Sequence, residues 1–67
     1  MSKEVEELRM LQARLCFFRS KIYKFEIYLS EQQLKGTKNT IEYAKKNIKA
    51  YEVAADTCLR HIGELIG

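Results

Sequence analysis

The only residues spaced for metal chemistry are Cys58-x-x-His61. Three positions apart on a helix, a thiolate and an imidazole project from neighbouring points of one surface, as zinc ligands do. They make half a site at best, so Cys58 reads as a core thiol with His61 at its edge. Cys16 and Cys58 lie at similar heights in the arrangement derived below. Cys16, however, projects away from the seam, and a bridge would require both Cβ vectors to turn. Catalysis lacks its parts as well: there is one histidine, no Ser/His/Asp pattern, no Gly-rich phosphate loop and no carboxylate pair enclosed by apolar residues. The chain is not expected to be an enzyme or to hold a metal or cofactor.

Whatever these residues do, helices position them. There is no proline, and Lys35-Gly36-Thr37-Lys38-Asn39-Thr40 is the longest interior stretch without an apolar residue. It divides the chain into two periodic segments, predicted as helices over 3–34 and 40–65. Gly36 suits the left-handed position that closes a helix, and Asn39 with Glu42 three residues later resembles a capping box. Heptads place Leu8, Leu15, Ile22 and Leu29 at a and Leu11, Phe18, Phe25 and Gln32 at d. In the second segment Ile41, Ile48, Ala55 and Ile62 fall at a and Ala44, Tyr51, Cys58 and Leu65 at d. A short connection makes the helices antiparallel, so facing residues carry position numbers of constant sum. Leu8 then meets Leu65, Leu15 meets Cys58, Phe18 meets Ala55, Phe25 meets Ile48 and Leu29 meets Ala44. Large residues against alanine let the layers interdigitate. The predicted fold is all-α, one coiled-coil-like antiparallel two-helix hairpin over 1–67, completed by a partner or by a second copy.

The first helix is apolar on two sides. Opposite its seam lie Met10, Ala13, Cys16, Phe17, Tyr23 and Ile27. The second helix carries Glu42, Lys45, Lys46, Lys49, Glu52 and Asp56 along a wet back interrupted by Val53, with Ala50, Ala54, Leu59 and Ile66 widening its apolar side. One side of the first helix packs within the chain, and the other needs a different surface to cover it. Met10, Ala13, Phe17, Tyr23 and Ile27 are therefore the expected contacts for a protein partner, with a homodimeric four-helix bundle as the alternative.

Charge does not point to nucleic acid. Twelve basic against nine acidic residues leave a net charge of +3. Arg14 and Lys21 fall on one flank of the seam and Arg19 on the other, with Lys24 beyond, so they read as aliphatic stems covering the seam with charged tips in water. Arg9, Glu6, Lys24 and Glu31 within the second stripe would be costly against acyl chains. No signal-peptide pattern and no apolar run of about 18 residues is visible, and two cysteines are too few for a disulfide framework. A reducing, cytoplasmic setting is expected.

Two long helices of similar length, Lys35-Gly36-Thr37 at the turn, and Ala54-Ala55 followed by His61-Ile62-Gly63-Glu64-Leu65 together resemble the E-type co-chaperones of type III secretion needle subunits. That resemblance implies a hairpin bound to a larger tetratricopeptide-like chaperone, the pair holding the needle subunit of this virulence apparatus soluble in the bacterial cytoplasm. A Rop-like homodimer presenting basic residues to RNA is the competing reading, although here the basic residues are interleaved with acids. A structural phage or virus component is a third.

Overall fold

The computed structural model describes residues 2–67. Two helices, α1 (Lys3–Lys35) and α2 (Lys38–Ile66), pack as the predicted antiparallel hairpin. Ser2 starts α1: its side-chain oxygen accepts the Val5 amide at 3.3 Å. Glu4 and Glu6 occupy the first turn and Lys35 the last, complementing the helix dipole at both ends.

The connection is tighter than expected. Thr37, not Asn39, caps α2. Its hydroxyl accepts from the Thr40 amide at 3.3 Å, and the Thr40 hydroxyl accepts from the Thr37 amide at 3.0 Å. This is a capping box closed by threonine, with Asn39 already inside the first turn. Gly36 is also not left-handed: φ −94° and ψ −176° are extended backbone open to any residue. Space is what favours glycine there. A Cβ would meet the Gln32 side-chain oxygen, and would come within 2.6 Å of the Thr40 hydroxyl and 2.8 Å of the Gln32 Cβ.

Thr37→Ala should cost about 1 kcal/mol and lower the melting temperature by about 4–8 °C, the usual shift per kcal/mol for a domain of this size. Asn39→Ala should change it far less, and circular dichroism melts distinguish the two.

Every a and d position assigned from the sequence is buried or half-buried. The centre consists of Leu11, Leu15, Ala55 and Cys58, with Phe18, Ile62 and Leu65 packed against it. Ala44 is 0% exposed. The Cys58 thiol donates to the Leu11 carbonyl at 3.0 Å, linking the two helices inside the core. The hairpin is a rod of 50 × 16 × 13 Å. Its radius of gyration of 15.3 Å compares with about 11 Å for a globular domain of this length. Two helices in a rod cannot enclose their own seam, which is why Phe18, Ile22, Phe25, Leu29, Ile48 and Ile62 stay half-exposed. Leu59 and Ile66, expected to widen the apolar side of α2, are 43% and 70% exposed. They sit one position outside the seam, with no third helix to cover them.

Candidate interaction surface

The outer face of α1 is built by the helix itself. Once the a and d residues turn inward, the 100° step forces the intervening apolar residues out. Met10 is 56% exposed, Phe17 53%, Tyr23 65% and Ile27 45%, and Ala13 is also exposed. These residues form two short lines on one helix. Met10, Ala13 and Phe17 follow spacings of three and four. Tyr23 and Ile27 form a second line about a quarter turn round the helix, so the stripe runs obliquely across the back of α1. Leu34, 89% exposed, prolongs the second line. The periodicity gives little sign of it, because it sits beside the turn, where the seam pattern fades into Gln32 and Gln33.

The other sequence candidates separate. Cys58 is buried while Cys16 is exposed, and both are free thiols. His61 is exposed at the rim of an open groove that reaches down to Cys58. Among the described residues, no three His, Cys, Asp or Glu side chains gather as a metal site.

An aromatic ladder went unread in the sequence. Phe17, Phe18, Tyr51, Phe25, Tyr43 and Tyr28 follow one another with ring centroids 5.9 to 6.4 Å apart, crossing repeatedly between the helices. The contacts are mainly edge-on or tilted, with Phe25 and Tyr51 stacked, and such pairs add about 0.5–1.5 kcal/mol each beyond burial. The Lys21 ammonium lies 5.5 Å from the Phe17 ring centre. Phe17 thus joins the core through Phe18 on one side and meets solvent on the other.

No protein-family model, curated protein or solved structure matches this chain. No described helix is long and apolar enough to cross a membrane.

Proposed function

We propose that this chain is a protein-binding module of the co-chaperone type: a hairpin that offers the outer face of α1 to the groove of a larger helical-repeat chaperone in the cytoplasm. By the resemblance noted in its sequence, the pair would keep a type III secretion needle subunit soluble. The observation that carries the binding reading is the exposure of Met10, Phe17, Tyr23 and Ile27 on the helix that also supplies the seam. Fully burying one such side chain is worth about 1.5–3 kcal/mol. Half-exposed residues retain roughly half of that, so four of them can offset several kcal/mol of association cost without any charged contact. A helical groove suits a continuous helix presenting anchors at these spacings.

The first measurement is the solution mass of the isolated chain over a dilution series. A dimer persisting to low concentration would show the face occupied by a second copy and overturn the heterologous reading. The direct test is co-expression with a tetratricopeptide-like chaperone and a needle subunit, followed by size-exclusion chromatography. A soluble complex containing all three chains is expected. Phe17→Asp should weaken it by about 100-fold or more, as loss of a central aromatic anchor does, while leaving helical content intact. No complex, or one indifferent to Phe17→Asp, Tyr23→Asp and Ile27→Asp, overturns the proposal.

A further inference from the structure

The two flanks of the seam are unequal. On one, the neighbouring side chains Gln12, Arg19, Glu26, Lys45, Glu52 and Leu59 are all exposed. On the other, Lys21, Tyr28, Thr40, Asn47 and Ala54 are half-buried, and among the described residues no others outside the a and d positions are. This second flank is concave. A groove of about 290 Å³ has Leu11, Phe18, Ala54 and Cys58 lining it, with Arg14 and His61 also reaching it. Towards the connection the aromatic ladder continues the same side, where Tyr28 meets Tyr43 across the helices at 6.4 Å.

We infer that this flank is a docking groove for an acidic amphipathic helix of a partner protein, laid along the seam as the third helix of a three-helix bundle. It goes beyond the outer-face reading, because at 100° per residue the Arg14 and Lys21 flank borders Met10 and Phe17 while Tyr23 and Ile27 turn away from it.

Three features specify the occupant. The first is shape, since the half-exposed core residues Phe18, Phe25 and Ile48 need a third apolar stripe to enclose them. Second, polarity falls where the helix would lie. The Asn47 amide donates to the Tyr43 carbonyl at 2.8 Å and the Thr57 hydroxyl to the Val53 carbonyl at 3.0 Å, so both satisfy their own helix. The third is charge. Between Met10 and Tyr28 this flank of the seam on α1 carries Arg14 and Lys21 and no carboxylate, and the facing side of α2 from Tyr43 to Thr57 is uncharged. A partner stripe flanked by Asp or Glu meets two unopposed cations, and a basic one is repelled. Arg14 to Tyr28 spans about 21 Å at 1.5 Å per residue, so the docked helix is about four turns long. Nucleic acid fits poorly: the one ring in the floor, Phe18, is already packed on Phe17 and Tyr51, and Lys21 already covers the Phe17 ring.

The test titrates the whole chain against fluorescein-labelled synthetic 18-residue helices carrying a leucine stripe flanked by glutamate or by lysine, and against single-stranded RNA of equal length, read by anisotropy. The glutamate helix should bind saturably and more weakly as salt rises, and the lysine helix and the RNA should not bind. Arg14→Glu with Lys21→Glu should lose about tenfold or more, and the exposed Arg14→Glu alone about threefold, from the removed and reversed charge contacts. Arg19→Glu with Lys45→Glu makes the same change in net charge on the opposite flank and should leave affinity unchanged. Circular dichroism first confirms that each variant is folded. No binding of the glutamate helix, equal loss from both charge pairs, or RNA binding as tightly overturns the groove. Loss through Ile27→Asp but not through the Arg14 and Lys21 pair also overturns it, moving the helix to the outer face and leaving the proposed function standing.

Discussion

Phe18→Asp should abolish the cooperative thermal transition and most of the helical signal at 222 nm, whereas Phe17→Asp, one residue away, should leave both in place. The contrast follows from where each ring sits. Phe18 packs on the cluster of Leu11, Leu15, Ala55 and Cys58 and lies 6.2 Å from the Tyr51 ring. Removing a core phenylalanine costs about 3–5 kcal/mol when fully buried. Phe18 is half-buried, so roughly half of that is lost, and a carboxylate drawn against the same apolar cluster adds at least about 1–3 kcal/mol. The sum reaches the 3–5 kcal/mol or so that a single core of this size supplies. Phe17, 53% exposed, loses one edge contact to Phe18 and its place under Lys21. Those are worth about 1 kcal/mol each, and a carboxylate four residues before Lys21 returns a few tenths. Phe17→Asp should therefore melt earlier but still cooperatively. Equal loss of structure in both variants would put Phe17 in the core and remove the central anchor of the proposed surface.

The same pair shows what the sequence makes legible. A helix repeats its geometry every turn, so a heptad written across two segments fixes which side chains face inward, and every a and d residue from Leu8 to Leu65 follows it. The exposure of Met10, Ala13, Phe17, Tyr23 and Ile27 is the complement of that rule. The ends of the helices obey weaker signals. Thr37 and Asn39 are both capable N-caps, and the choice rests on whether Thr40 or Glu42 reaches back to the chain. Thr40 does so at 3.0 Å, starting α2 two residues ahead of its expected position and leaving Gly36 extended.

Harder to read was the difference between the flanks, because it depends on residues that are individually unremarkable. Arg14, Lys21 and Tyr28 recur at seven-residue spacing in α1, as do Thr40, Asn47 and Ala54 in α2. Small or backbone-bonded side chains opposite long ones leave a trough, and only the antiparallel register brings the two sets together. The aromatic ladder had the same obstacle. Its rings occupy three kinds of heptad position, and their contacts depend on rotamers that spacing does not specify.

That register can be tested directly through the layer that pairs Leu29 with Ala44. Ala44 is completely enclosed, at 0% exposure, so Ala44→Leu has no room and should cost about 1–3 kcal/mol through overpacking. At about 4–8 °C per kcal/mol, the melting temperature should fall by about 4–24 °C. Leu29→Ala alone should cost less than the 2–5 kcal/mol or so typical of a buried leucine, because Leu29 is only half-buried. Combined, the two substitutions exchange a large residue for a small one across the same layer and conserve its volume. The double variant should therefore be more stable than Ala44→Leu, with a coupling of about 0.5–3 kcal/mol between contacting sites. Phe25→Ala combined with Ala44→Leu should show no such recovery, since Phe25 belongs to the next layer, opposite Ile48. Recovery with Phe25→Ala but not with Leu29→Ala would mean that the helices are offset by one layer. The groove would then be lined by a different set of side chains, and Arg14 would no longer share it with His61.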